Sequence, residues 1–378
     1  MSGRLSQSAA VGAEAHPSRV NSRSMDDGLV ASVNPESEAR RSEFYERAAT
    51  RHLAPLWRVL NELVTEQPRS PCIPAHWRYQ DVRPYLIEAC SLISTEESER
   101  RVLILENPGL PGQSRVTRSM FAGLQIILPG EVAPAHRHVA SALRFIIEGQ
   151  DAYTSVGGER TMMLPGDFVI TPSWSWHDHG NVGAGPMVWL DGLDMHLVNL
   201  CDASFREYYP APVHPITRGD GSSYAEAGRN LLPVGFRPRS QTSPIFNYPY
   251  RVTREALDAL GRNADPDACH GYKMLYINPL TGGTAMPTMT TAMQLLPAGF
   301  RSQAYRCTAG TLFCVVEGEG VAHIGDQRFE WREHDLFVVP SWSPLVLESR
   351  GESVLFSFSD QVVQEKLDFF REQRGAAT

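Results

Sequence analysis

The 378-residue sequence predicts a mainly β protein made of two jelly-roll β-barrels, with helices at the N-terminus and between the barrels. After residue 100, short apolar or alternating runs such as RVLILE, LQIILPG and ALRFIIEG are separated by Gly and Pro, a texture typical of evenly spaced strands. The same order of runs returns about 170 residues later, and a repeat of this length indicates two related barrels.

The two copies align segment by segment. LPGEVAPAHRH matches LPAGFRSQAYRC, FIIEGQDAY matches CVVEGEGVA, and GDFVITPSWSWH matches HDLFVVPSWSPL. Apolar residues recur at helical spacing from Glu43 to Leu63, whereas the preceding residues lack such periodicity. We therefore predict a disordered tail (residues 1–42), a helical segment (43–99), a first barrel (100–201), a connecting segment with a short helix (202–275), a second barrel (276–360) and a terminal helix (361–378).

Composition excludes two classes of partner. A formal charge of −8 and the absence of a Lys/Arg-dense stretch argue against nucleic acid, which needs a positive surface. No apolar run is long enough to span a bilayer, so no membrane role is expected. The six cysteines are scattered without a CxxC pair, and no basic and apolar leader opens the chain. These features predict a cytoplasmic protein with reduced thiols.

The strongest chemical signal is a spaced set of histidines in the first copy. Gly130 is followed by His136 and His138, and further on the order Gly166, Pro172, His177, Asn181 appears. Histidines at i and i+2 on a strand project to the same face, so both imidazoles can enter the barrel, where a third histidine completes one side of a metal. An isolated HxH pair is more often structural, but the full spacing set favours a metal site.

This pattern resembles the paired motifs of the cupin superfamily, with one departure. The carboxylate that cupins usually offer four or five residues past the second histidine is replaced by Ala142 and Leu143. Three imidazoles suit Fe(II), Zn(II) or another imidazole-preferring metal, and ligand type alone leaves that choice open. In the second copy the matching positions are Tyr305, Cys307 and Leu345, so that barrel is predicted to hold no metal.

Longer matching segments point to one family within the cupin superfamily. ALRFIIEG, TPSWSWHDHGN, WLDGLD, SPIFNYPY, DACHGYKM, NPLTGG and LFSFSD together resemble the bacterial gentisate 1,2-dioxygenase family from residue 45 to 370. The resemblance implies a homotetrameric bicupin enzyme that uses Fe(II) and dioxygen to open the ring of a small aromatic 2-hydroxy acid. For gentisate, cleavage falls between the carbons that bear the carboxyl and the adjacent hydroxyl, and the product is maleylpyruvate.

The resemblance also assigns roles to residues. It implies that His136, His138 and His177 hold the iron, that Arg144 meets the substrate carboxylate, and that Arg100 or Arg101 is a second substrate-facing arginine, with Arg100 preferred. It further implies a proton-transfer role for His179, an orienting role for Asp191 and a substrate contact for Gln125. The alternatives are a surface salt bridge for Arg144, a core histidine at 179, a turn residue at 191 and a structural amide at 125.

Two other functions remain open at this point. Salicylate and 1-hydroxy-2-naphthoate dioxygenases also resemble the chain, and they differ in wall residues that spacing cannot position. A cupin that binds a small ligand without catalysis is the rival from another class, which the intact three-histidine set argues against.

Overall fold

The computed structural model describes residues 35–238 and 240–375, and the chain divides after Glu66 into two compact units. The first unit holds helices α1 (Pro35–Ala49) and α2 (Leu56–Leu63). Pro35 opens α1 and acidic residues occupy its first turn, which suits the N-terminal end of a helix dipole. The expectation of a disordered tail is therefore wrong for residues 35–42, while residues 1–34 lie outside the described part.

The second unit contains the remaining elements. Its helices are α3 (Tyr79–Leu92), α4 (Thr95–Ser98), α5 (Met195–Leu200), α6 (Ser222–Ala227), α7 (Tyr250–Asn263) and α8 (Gln361–Lys366). Its strands are β1 (Ala75–Trp77), β2 (Arg101–Ile104), β3 (Phe121–Ile127), β4 (Val132–His138), β5 (Ala142–Glu148), β6 (Ala152–Val156), β7 (Glu159–Met163), β8 (Phe168–Thr171), β9 (His177–Asn181), β10 (Met187–Leu193), β11 (Arg206–Tyr208), β12 (Asn247–Tyr248), β13 (Tyr272–Leu275), β14 (Thr290–Leu296), β15 (Tyr305–Cys307), β16 (Thr311–Glu317), β17 (Glu319–Ile324), β18 (Gln327–Arg332), β19 (Leu336–Val339), β20 (Leu345–Ser349), β21 (Ser353–Ser359) and β22 (Glu372–Arg374). Among the described helices, none has both the length and the apolar character needed to cross a membrane.

Each barrel is built from a six-stranded and a five-stranded sheet. The first barrel has the orders β12-β8-β5-β10-β3-β2 and β11-β4-β9-β6-β7, and the second has β1-β19-β16-β21-β14-β13 and β18-β17-β20-β15-β22. The six-stranded sheets share one order, and a register shift interrupts the β5–β10 ladder and the corresponding β16–β21 ladder. The mainly β, two-barrel fold and its internal duplication are confirmed.

The largest core cluster joins the two six-stranded sheets. Phe145 of the first sheet and Phe356 of the second stack with ring centroids 4.2 Å apart and planes 8° from parallel. The opposite faces of the same strands line the barrel interiors, where two smaller clusters form. Because these strands are buried on both faces, they appear in the sequence as continuous apolar runs such as FVIT and LFVV.

The part of the predicted helical segment that follows residue 66, and the connecting segment, contribute strands to the barrels. Strand β1, inside the segment 43–99, pairs with β19 of the second barrel. The segment 202–275 contributes β11 and β12 to the first barrel and β13 to the second. These strands are two to four residues long, too short to show a sequence period, and their pairing partners are distant in the chain.

The terminal helix is shorter than predicted. It ends at Lys366, and Asp368 adopts a left-handed φ of 58° that turns the chain away from the helix axis. Residues 372–374 then form β22, which pairs with β15 at the edge of the second barrel. The prediction of one helix over 361–378 is therefore wrong beyond Lys366, and residues 376–378 lie outside the described part.

Candidate metal centre

The three predicted metal ligands come together inside the first barrel. Strands β4 and β9 are antiparallel neighbours, and His136 lies directly opposite His177. His138, two residues further along β4, shares the face of His136. One ring nitrogen from each histidine falls within 4.8 Å of the other two. The spacing set in the sequence thus becomes a single cluster.

Backbone carbonyls hold the Nδ1 side of each ring. The carbonyl oxygens of Pro134, Ala140 and Ser175 lie 3.2, 2.7 and 2.9 Å from Nδ1 of His136, His138 and His177. A carbonyl accepts a hydrogen bond, so at His138 and His177 this arrangement keeps the proton on Nδ1 and leaves Nε2 with a lone pair. Nδ1 of His136 differs, because it also lies 2.7 Å from Arg100 Nη2, which can only donate. Nε2 of His177 is buried and has no hydrogen-bond partner in the described part of the chain. Such an orphaned acceptor fits a metal ion.

The same surroundings keep the three imidazoles neutral. Burial, aided by Arg100 and the neighbouring His138, lowers the pKa of His136 to about 2, and burial lowers the pKa of His138 to about 4. Burial is the main reason that the pKa of His177 lies well below its ordinary value. The repulsion that His136 would exert in its protonated form adds to this effect. Neutral imidazole is the form that ligates metals, so the cluster can bind a cation without first losing protons.

Beside the histidines lies a buried ion pair. Arg144 on β5 stands opposite Asp191 on β10, with 3.5 Å between Arg144 Nε and Asp191 Oδ1. Arg144 also donates to Thr171 Oγ1 at 2.6 Å, and its residue is only 3% exposed. Asp191 accepts from Trp189 Nε1 at 3.0 Å, and burial, opposed by Arg144, raises its pKa to about 6. The alternatives of a surface salt bridge and a turn residue are both wrong.

His179 has one tautomer that satisfies its neighbours. Arg144 Nη2 lies 3.0 Å from His179 Nε2, and a guanidinium can only donate, so Nε2 carries the lone pair. The proton is then on Nδ1, which donates to Thr154 Oγ1 at 3.0 Å, while the Thr154 hydroxyl donates to Met163 Sδ. Burial and then Arg144 hold the pKa of His179 well below its ordinary value. His179 is therefore held in one orientation as a neutral imidazole.

The two adjacent arginines point to different places. Arg100 Nη2 reaches His136 Nδ1 at 2.7 Å and donates to Pro134 O at 3.2 Å, so its guanidinium lies at the histidine cluster. Arg101 instead donates to Ile93 O and forms an ion pair with Glu131. Of the two residues, the structure brings Arg100 to the site and turns Arg101 away from it.

Gln125 faces the interior from β3. It lies directly opposite Trp189, whose ring centroid is 5.7 Å from that of His179, and directly opposed residues of antiparallel strands share a face. Gln125 is 2% exposed. Its side chain therefore lies on the interior side of the barrel, beside Trp189.

The sequence did not reveal the residues that orient this site. Thr154 stands opposite His179 across the β6–β9 ladder, and Thr171 and Trp189 hold Arg144 and Asp191. Alternation along β6 could have placed Thr154 on one face of its strand. Its partner is 25 residues away, however, and only the strand register makes the contact.

Replacing Thr154 with Val, which has a similar shape, should lower kcat about tenfold without changing the bound metal. The change leaves the buried Nδ1–H of His179 without an acceptor, which costs about 1–3 kcal/mol, and each 1.36 kcal/mol on the barrier is about tenfold in rate. Thr154→Ser, which keeps the hydroxyl, is the control and should stay close to the parent rate. Steady-state oxygen uptake and metal analysis measure both effects; equal rates for the Val and Ser variants would contradict this role.

Comparison with known proteins assigns the family. Residues 123–193 match the cupin domain. A gentisate 1,2-dioxygenase of Aquipseudomonas alcaligenes is 55% identical over 340 residues, which make up 90% of this chain and 98% of the relative. A gentisate 1,2-dioxygenase of a Streptomyces species is 38% identical over 85% of this chain and 92% of its own length.

A crystal structure extends the match to the whole fold. The salicylate 1,2-dioxygenase of Pseudoaminobacter salicylatoxidans, in its adducts with gentisate, superposes with a TM-score of 0.85 and 30% identity, covering 92% of this chain and 97% of that one. Fold, internal duplication, histidine cluster and sequence identity therefore agree. This chain belongs to the gentisate 1,2-dioxygenase family of bicupin ring-cleaving dioxygenases.

Proposed function

We propose that this protein uses Fe(II) and dioxygen to cleave gentisate between the carbons that bear the carboxyl and the adjacent hydroxyl, giving maleylpyruvate. The observation that carries the proposal is the buried cluster of His136, His138 and His177, in which one ring nitrogen of each lies within 4.8 Å of the others and Nε2 of His138 and His177 is left for a metal. The 55% identity to a gentisate 1,2-dioxygenase supports the choice of substrate.

The charge of the site suits an anionic substrate. Arg144 is buried and Arg100 is partly buried near the histidines, and Asp191 is the acid that faces Arg144. A divalent metal would add further positive charge. Removing guanidinium groups wholly or partly from water is costly unless an anion compensates, so an aromatic carboxylate is a favourable occupant. A guanidinium can bind it with two parallel hydrogen bonds.

Bound iron would supply the open coordination positions and the redox chemistry that activates dioxygen, and His136, His138 and His177 would hold it. The other residues act on the organic substrate. Arg144 orients the carboxylate, with its own position set by Asp191 and Thr171. His179 Nε2 takes the proton of the ring hydroxyl once substrate draws Arg144 Nη2 away, and the negative charge of the substrate stabilises the resulting imidazolium.

Relatives of similar length are named for other aromatic 2-hydroxy acids. A 5-aminosalicylate 1,2-dioxygenase of a Comamonas species is 36% identical over 88% of this chain and 90% of its own length. Other relatives are named for salicylate and for 1-hydroxy-2-naphthoate, which are therefore the alternative substrates. Gentisate is favoured because the 55% identical relative is named for it and because long segments such as FNYPY and HGYKM match that family. Its second ring hydroxyl also makes the ring easier to oxidise.

Oxygen uptake by the Fe(II)-loaded protein tests the proposal. We expect fast uptake with gentisate, stoichiometric with maleylpyruvate, and slower uptake with salicylate and 1-hydroxy-2-naphthoate measured in parallel. Loading with Zn(II) serves as the control, because zinc can occupy the same ligands but has no redox chemistry. Comparable rates with the other two acids would show that the protein cleaves aromatic 2-hydroxy acids as a class and is not specific for gentisate. No uptake with any of them, despite bound iron, would favour a ligand-binding cupin without catalysis.

We further propose a homotetramer in the cytoplasm, as the family resemblance implies. The exposed apolar side chains of α2, among them Leu56, Trp57, Leu60 and Leu63, support association, since an amphipathic helix usually buries that face.

A further inference from the structure

The second barrel retains a cavity where the first barrel has its metal centre. Gln125 on β3 lies opposite Val102 on β2, and at the corresponding place Gln294 on β14 lies opposite Lys273 on β13. A lysine therefore enters the second barrel where the first has a valine. The cavity has a volume of about 40 Å³, is partly open to solvent, and is lined by Lys273 and Gln294 among others.

The chemistry of this cavity differs from that of the first barrel. No metal-ligand set is found there among the described residues. The register of the ladders shows which groups replace those of the first barrel: Tyr305, Cys307 and Leu345 take the positions of the three histidines, Phe313 that of Arg144, and Ser357 that of Asp191.

Lys273 has no counter-ion. Within the described ranges of the chain, its Nζ makes no hydrogen bond or ion pair, and no carboxylate lines the cavity. The nearest acids already have partners, since Asp267 pairs with Arg374 and Glu372 accepts from Tyr305 Oη at 2.8 Å. Burial lowers the pKa of Lys273, as expected for an ammonium group removed from water.

The other basic groups of the cavity are either already engaged or neutral, so Lys273 carries its unpaired charge. Arg306 donates to Gln373 Oε1 at 2.8 Å and lies over the Trp342 ring, so it is already engaged. Burial and then the charge of Lys273 lower the pKa of His270 to about 3, so this imidazole is neutral. Lys273 is also one of only two lysines in a chain with 35 basic residues, the other being Lys366. The cavity therefore holds one unpaired positive charge.

The rest of the cavity indicates the shape of an occupant. Its inner wall is apolar, formed by Phe313, Val339, Leu345 and Leu347, and it continues into the core of the barrel. An unpaired cation next to an apolar wall suits a ligand with one negative end and a compact apolar body. A metal ion or a phosphate would gain nothing from that wall.

We propose that the second barrel binds a small monocarboxylate of the benzoate type, with its carboxylate on Lys273 and its apolar body against Phe313 and Leu345. Such a ligand supplies the missing counter-ion and removes apolar surface from water in the same step. The site is separate from the histidine cluster and requires no reaction there.

Equilibrium dialysis of the Fe(II)-loaded protein under anaerobic conditions, with 4-fluorobenzoate as the probe, tests this proposal. We expect two bound probes per wild-type chain, one in each barrel, with separate bound signals in ¹⁹F NMR. Lys273→Met should weaken one of the two sites at least tenfold. Lys366→Met, which changes the other lysine outside the cavity, is the matched control and should bind two probes.

A second variant covers the case in which Lys273→Met does not fold, which thermal unfolding reports. Ala292 lies opposite Ser357 and lines the cavity, so Ala292→Leu fills space while keeping Lys273. It should also reduce binding to one probe. The proposal is overturned if the folded Lys273→Met and Ala292→Leu proteins bind as many probes as wild type. Because the count needs no turnover, it is independent of whether gentisate is cleaved.

Discussion

His177→Ala is expected to lose iron and oxygen uptake together, each by at least about 100-fold. Loss of a group that merely supports a metal ligand typically costs 10- to 100-fold in metal affinity or activity, and loss of a ligand itself should cost no less. His177 is 1% exposed, and its Nε2 has no protein partner in the described structure, so a metal ion is the partner that would satisfy this nitrogen. Metal analysis after anaerobic loading and an oxygen electrode measure the two effects.

His323→Ala provides the matched control for this change. His323 lies on β17 of the second barrel, where it contacts Glu348 at 3.0 Å, and among the residues that the structure describes it belongs to no cluster of potential ligands. This variant should keep its iron and its rate. The His177→Ala protein should also remain folded, because the change removes an unsatisfied buried nitrogen as well as some packing. Full iron occupancy in folded His177→Ala would show that the cluster is not the metal site.

Arg144→Met should lower kcat/KM for gentisate by about 10²- to 10³-fold. Truncating one partner of a buried, hydrogen-bonded charge pair costs about 2–5 kcal/mol, and about 1.4 kcal/mol corresponds to a factor of ten. Arg144→Lys should recover little of this loss, because an ammonium group cannot reproduce the planar fork that contacts Thr171, His179 and Asp191 together. Steady-state kinetics with iron content verified for each protein is the measurement.

The same change affects folding, and a double variant separates the two effects. Without Arg144, the buried Asp191 has lost the group that lowers its pKa, so its folded-state pKa rises further above the value in the unfolded chain. A carboxyl that holds its proton in the folded state makes the protein less stable as the pH rises between those two values. Arg144→Met with Asp191→Asn should remove that pH dependence in urea unfolding. Recovery of activity in the double variant would contradict a substrate-binding role for Arg144.

The sequence by itself determined the class of the fold and the composition of the metal cluster. Apolar runs such as ALRFIIEG appear because the strands of the six-stranded sheets are buried on both faces, and this signal is local. The spacing of His136 and His138 is also local, since alternation along a strand sends both to one face. The same alternation could not decide between Arg100 and Arg101, because one of any adjacent pair faces inward and the start of β2 was unknown.

Only the tertiary structure decided which residues orient the site and where the barrels end. The contact of Thr154 with His179 and the opposition of Lys273 and Gln294 depend on strand register, which is determined by pairing between segments far apart in the chain. Strands β1, β11 and β13 were missed for the same reason. A strand of three or four residues carries too few side chains to show a period, and its stability comes from the partner strand that only the folded chain supplies.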